Sequence, residues 1–116
     1  MAKLTLRVDF GGQRLIGPGK IRLLELIDEH GSIAAAGRAM RMSYRRAWLL
    51  IDNLNHCFRK PLVQKQTGGD GGGGAELTPF GRKVVKHYRE MERDADSAVA
   101  IHLRALDKAL SGRRAR

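Results

Sequence analysis

A chain of 116 residues supports one domain around one modest core. Its 22 Lys and Arg against 12 Asp and Glu give a formal net charge of +10, which favours nucleic acid or an anionic membrane surface as partner. The single cysteine, Cys57, excludes an intramolecular disulfide, no run of apolar residues reaches transmembrane length, and the opening MAKLTLRVDF is not a signal peptide, so a cytoplasmic protein without a membrane partner is expected.

Leu4, Leu6, Val8 and Phe10 alternate with polar residues, the pattern of a half-buried strand. Gly11-Gly12 breaks it, and Arg14-Leu15-Ile16 returns as the second strand of an N-terminal β-hairpin. Gly17-Pro18 opens a first helix with proline in the first turn, Ile21, Leu24 and Ile27 form its apolar face, and His30-Gly31 closes it on a left-handed glycine. Ser32 caps a second helix at about 33–40, kept slim by three alanines and Gly37, with Ile33, Ala36 and Met40 inward. After a turn near Arg41-Met42, Ser43 caps a third helix at about 44–59. Ala47, Leu50, Ile51, Leu54 and Phe58 share its inward face, and Trp48 sits at the border, half buried and bracing the helix against the next segment of the chain.

Pro61 ends that helix. Leu62 to Gln66 and Ala75 to Thr78 read as two short strands joined by TGGDGGGG, residues 67–74. Thr78-Pro79 starts a last helix reaching about Leu110, with apolar residues at Val84, Tyr88, Met91, Ala95, Val99, Leu103, Leu106 and Leu110. A helix of about 30 residues spans about 45 Å, more than so small a core covers. Its far half, Val99, Leu103, Leu106 and Leu110, is therefore expected to be exposed in a lone chain and to form a homodimer interface. Residues 111–116 read as a basic disordered tail on a domain of residues 1–110.

The charge is unevenly placed. No acid occurs from Gly31 to Leu50, and from His30 to Gly69 the bases Arg38, Arg41, Arg45, Arg46, Arg59, Lys60 and Lys65 face one acid, Asp52. A slim helix, a tight turn and a serine-capped basic helix fit a helix-turn-helix whose second helix enters the DNA major groove. Arginine suits guanine bidentately, and a capped helix N-terminus suits phosphate. A glycine-rich hairpin directly after that helix sits where a wing would be. Its glycines let backbone N–H groups approach phosphates or the minor groove. The candidate DNA contacts are Ser32, Ser43, Tyr44, Arg45, Arg46 and Trp48 on the helices, with Lys65, Thr67, Gly68, Gly69, Gly71 and Gly72 on the wing.

Catalysis has no comparable pattern. The loop lacks the GxxxxGK[ST] spacing of a nucleotide-phosphate loop, and His30, His56, His87 and His102 show no metal-ligand spacing with Cys57. Glu90, Glu92, Asp94 and Asp96 interleave with Arg89 and Arg93 as a solvated helix face. No enzyme, metal or cofactor is expected.

The run from Gly31 to Ser43 and the arginine-bearing helix after it resemble the helix-turn-helix of LysR-type regulators. SYRRAW at 43–48, LVQKQTGGDGGGGAELT at 62–78 with Pro79-Phe80-Gly81, and the leading LTLRVDFGGQRLIGPGKIRLLELI are similar to the N-terminal DNA-binding domain of ModE-type molybdate-responsive regulators. The resemblance implies an α+β, mainly helical fold: a winged helix-turn-helix that dimerises through its terminal helix and regulates transcription on double-stranded DNA. ModE regulators continue into oxyanion-binding domains, and those domains are not found in this sequence. No specific molybdate binding is expected, because the one glycine-rich candidate carries Asp70 and is costly to order. A non-specific architectural DNA-binding protein is the alternative function.

Overall fold

The computed structural model describes residues 2–66 and 73–113. Its elements in chain order are β1 (Val8–Asp9), β2 (Leu15–Ile16), α1 (Pro18–His30), α2 (Ile33–Ala39), α3 (Tyr44–Cys57), β3 (Val63–Lys65), β4 (Ala75–Leu77) and α4 (Pro79–Lys108). Both strand pairs are antiparallel hairpins, with Val8 opposite Ile16 and Val63 opposite Leu77. This is an α+β, mainly helical chain: three short helices, a C-terminal hairpin after α3, and one long helix.

Local chemistry sets the helix ends. Ser32 accepts from the N–H of Ala35 at 3.0 Å, Ser43 from Arg46 at 3.1 Å and Thr78 from Gly81 at 2.9 Å, each satisfying a first-turn donor. Gly31 closes α1 at φ 77°, and its N–H donates to Ile27 O at 2.8 Å. The core gathers Ile21, Leu23, Leu24 and Ile27 of α1, Ala36 of α2, Ala47, Ile51 and Leu54 of α3, Leu62, and Val84 and Tyr88 of α4. Gly37 is what lets α2 and α3 cross so closely, since a Cβ there would stand 3.1 Å from the Ala47 Cβ.

Several expectations are corrected. On the first strand the ladder covers only Val8 and Asp9, and Leu4 to Arg7 lie outside it. Tyr88, fully buried, holds this segment by donating its hydroxyl to the carbonyl of Leu6. Burial raises the Tyr88 pKa above that of free tyrosine, so the phenol stays a donor. The third helix stops at Cys57 rather than residue 59, and Phe58 turns away in extended backbone. There its ring takes edge-on contacts from Phe10, at 5.7 Å, and Phe80, at 5.5 Å. The last helix ends at Lys108, two residues before the expected Leu110.

α4 outruns its core, as its length requires. The molecule measures 55 × 28 × 26 Å, and no α4 residue beyond Tyr88 is buried. Val99 and Leu103 were expected to be exposed and are half-buried, while Leu106 and Leu110 remain 67% and 71% exposed. Leu103 and the Ala2–Leu4 segment line a shared space of about 370 Å³. Ser111 to Arg113 are exposed, and the rest of the tail, 114–116, falls outside the described residues.

Arg89 joins α4 to α1. It donates to both Glu25 oxygens, at 3.0 and 2.7 Å, and to Glu92 at 2.7 Å. The hydrogen bond from Arg89 outweighs burial and lowers the Glu25 pKa, while Glu25 and then Glu92 raise that of Arg89. Because Glu25 holds its proton less tightly folded than unfolded, its stabilisation is complete above the usual carboxylate range. It is lost as pH falls through the lowered folded value. Thermal unfolding between pH 7 and pH 3 should therefore show the gap between Arg89→Met and wild type widest near pH 7 and narrowing toward the acid end. A gap that does not depend on pH contradicts the assignment.

Candidate nucleic-acid interface

α3 presents two unlike faces. Ala47, Ile51 and Leu54 are buried against α1 and α2, whereas Tyr44, Trp48 and Leu49 are 58%, 45% and 48% exposed. Arg45 and Arg46 are exposed in the first turn. The helix therefore offers solvent two guanidinium groups beside an aromatic and apolar strip, the mixture that reads hydrogen-bonding edges and thymine methyls in a major groove.

Between that strip and the β3–β4 hairpin lies an open groove of about 610 Å³, with Tyr44, Trp48, Asn55, Lys65 and Gln66 among its walls. Trp48, 45% exposed, borders this groove. Lys65 is exposed at the loop end of β3, opposite Ala75. Thr67, Gly68, Gly69, Gly71 and Gly72 lie outside the described residues. Of the other predicted contacts, Ser32 is half-buried with its oxygen engaged in capping α2. Ser43 is exposed and caps α3, and it stands beside Tyr44, Arg45 and Arg46.

Charge pairing separates two sides of the molecule. Among the described residues, the arginine–carboxylate ion pairs, Arg22–Glu25, Arg82–Asp28, Arg89–Glu25 and Arg89–Glu92, all sit on α1 and α4. Among the described residues, Arg38, Arg41, Arg45, Arg46 and Lys65 have no acidic partner within 4.0 Å. Asp52, the acid of α3, lies 3.6 Å from His56, and Glu76 on β4 accepts from the Gln64 amide at 3.3 Å.

Two positioning residues escaped the sequence. Asn55 accepts from the N–H groups of Leu62 and Val63, at 2.8 and 3.2 Å, and donates to Val63 O at 3.2 Å, which fixes the start of the hairpin to α3. Thr78 donates its hydroxyl to Pro61 O at 2.7 Å and its N–H to Leu62 O at 2.9 Å, fixing the hairpin's end to the same loop. The hairpin is also tied to the start of the helix-turn-helix, since Ala75 N–H donates to Gly31 O at 2.8 Å. An amide two residues before a helix end, six residues ahead of a proline, was the available signal for Asn55.

Among the described residues no three His, Cys, Asp or Glu stand close enough to hold a metal ion, and no helix is long and apolar enough to cross a membrane.

Comparison with known proteins agrees with this arrangement. The chain is 39% identical over 99 residues to the molybdenum transport protein ModE of Azotobacter vinelandii, covering 85% of this chain and 36% of that protein. It is 35% identical over 99 residues to the transcriptional regulator ModE of Haemophilus influenzae, covering 85% and 39%. It is 34% identical over 87 residues to the DNA-binding transcriptional dual regulator ModE of Escherichia coli, covering 75% and 33%. The chain thus spans little more than a third of the length of these curated relatives. Among solved structures, the CbnR DNA-binding domain in its DNA complex superposes with a TM-score of 0.58 at 18% identity, over 79% of this chain and 97% of that one. The LysR-family regulator VV2_1132 superposes with a TM-score of 0.52 at 18% identity, over 69% and 26%. At that identity the two establish the fold, a winged helix-turn-helix. The sequence profile of the bacterial regulatory helix-turn-helix proteins, lysR family, matches residues 19–82, more than half of the chain. This chain belongs to the lysR family of bacterial regulatory helix-turn-helix proteins, and ModE regulators are among its relatives.

Proposed function

We propose that this chain binds double-stranded DNA sequence-specifically, as the DNA-binding part of a transcriptional regulator of the ModE type. The observation that carries the reading is a set of exposed cations without acidic partners among the described residues: Arg45 and Arg46 in the first turn of α3, and Lys65 on the groove that Tyr44 and Trp48 also line. Arg45 and Arg46 reach base edges or adjacent phosphates, Ser43 and Tyr44 set the helix in the groove, and Trp48 and Lys65 line the channel between helix and wing. The role is binding, with no catalytic step. Selecting bound fragments from the host genome, then competing the best with random DNA, tests it. A preference of at least about a thousandfold supports sequence-specific regulation. Equal affinity for all fragments supports an architectural role instead.

The regulator acts as a homodimer through α4. Leu106 and Leu110 are exposed, in line with half-buried Val99 and Leu103 and with buried Val84 and Tyr88, so one apolar stripe runs off the end of the core. Sedimentation equilibrium at micromolar concentration is expected to give twice the 12.9 kDa chain mass. Leu106→Glu with Leu110→Glu should return it to one. A wild-type monomer contradicts the dimer. Molybdate titrated into the DNA-free chain should bind no more tightly than sulfate, and a saturable micromolar site for molybdate alone would overturn that expectation.

A further inference from the structure

The turn between α2 and α3 holds a residue that its backbone disfavours. Arg41 has φ 57°, in the left-handed region, where a Cβ is strained and glycine is preferred. The geometry is imposed locally. Met40 N–H donates to Ala36 O at 3.2 Å, Arg41 N–H to Arg38 O at 3.0 Å and Met42 N–H to Gly37 O at 2.9 Å. Those bonds close the end of α2 onto the start of α3, and the close contact between Gly37 and Ala47 leaves the turn no wider path. Position 41 is thus a glycine position by its backbone, and it carries the longest cationic side chain.

Among the described residues, no hydrogen bond or ion pair uses that side chain. Arg41 is exposed and has no acidic partner within 4.0 Å among the described residues. Its side chain makes no hydrogen bond among them, whereas Arg82 and Arg89 are engaged with carboxylates. Strain held where the fold gains nothing points to a use outside the fold. Its place in the chain says which: two residues before the Ser43 cap and four before Arg45, at the end of α3 that enters the groove.

We propose that Arg41 clamps a DNA phosphate at the edge of the groove, a contact for which this turn gives up stability. The inference rests on the DNA-binding reading above and adds to it a backbone-directed residue outside both α3 and the wing. The contact is indifferent to sequence, because phosphates carry no base information.

Arg41→Gly and Arg41→Lys test this, each measured by thermal unfolding and by DNA binding across a salt series. The glycine variant is expected to melt about 4–8 °C higher at matched protein concentration. It should bind both a selected genomic fragment and random DNA roughly 3- to 30-fold more weakly. The log–log salt slope should flatten by about one per subunit. The lysine variant, which keeps charge and strain, should keep the wild-type slope and melting temperature. A glycine variant whose affinity and slope match wild type overturns the phosphate clamp while leaving the DNA-binding reading intact. A glycine variant that melts lower overturns the strain. A wild-type chain that binds no DNA overturns the functional reading and the clamp together.

Discussion

Replacing Arg45 or Arg46 with alanine is expected to cost roughly 1–3 kcal/mol of binding on a selected site if that arginine reads a base. That is about a 5- to 150-fold rise in Kd, with a smaller loss on random DNA. Both arginines lie in the first turn of α3, behind the Ser43 cap, where a helix end-on to the groove places its reading side chains. Neither supports the fold: both are exposed, and α3 is held by Ala47, Ile51 and Leu54 on its opposite side. Unfolding temperatures of the variants should therefore stay at the wild-type value, which separates loss of contact from loss of structure. Equal losses on selected and random DNA would make these residues phosphate clamps. Unchanged binding would take α3 out of the groove.

Gly81→Ala carries the largest expected effect on stability. A Cβ at this position would stand 2.2 Å from the Leu62 carbonyl oxygen and 3.0 Å from its carbon. That carbonyl has no room to retreat, because it accepts the Thr78 N–H at 2.9 Å and belongs to the loop that Asn55 holds through the Leu62 N–H. The methyl group must push α4 off the base of the hairpin. The expected cost is about 3 kcal/mol, the upper end for overpacking. For a domain of this size the Tm falls by more than about 10 °C at fixed protein concentration. A variant melting within about 2 °C of wild type would mean that α4 and the hairpin are not locked at Gly81.

Most of the architecture is legible in local chemistry. Ser32, Ser43 and Thr78-Pro79 mark three helix starts, and Gly31 marks an end, because capping is settled by residues a few positions apart. The period of Ala47, Ile51 and Leu54 shows the buried side of α3 for the same reason. The features that the sequence hides depend on distant partners. Alternation in Leu4, Leu6 and Val8 shows one covered face, but not that Tyr88, far along the chain, covers part of it. Phe58 fits the helical period of α3 and leaves it because Phe10 and Phe80 offer a better surface. Trp48 lies between the buried and exposed faces, and only the position of the hairpin shows that it borders a groove. Arg41 gives no glycine signal for a left-handed turn, so its strain appears only in the backbone.

The site was legible as charge and less so as geometry. An acid-free run from Gly31 to Leu50 is visible by inspection, and its cations stand without acidic partners among the described residues. The hairpin is held at the side of α3 by the Asn55 and Thr78 side chains and by a backbone bond from Ala75 to Gly31, and the partners of these groups are carbonyls and N–H groups that a side-chain pattern does not name.

Measuring DNA affinity of the wild-type chain against salt concentration, on a fragment selected from the host genome and on random DNA, tests the central claim most directly. A dimer that sets α3 and the wing against the duplex neutralises roughly 6–10 phosphates, so the log–log slope should fall between about −5 and −9. The selected fragment should remain bound more tightly at every salt concentration, by a ratio that the phosphate contacts do not set. A slope flatter than about −2, or no DNA binding at low salt, would show that the cations on α3 and the hairpin face some other partner.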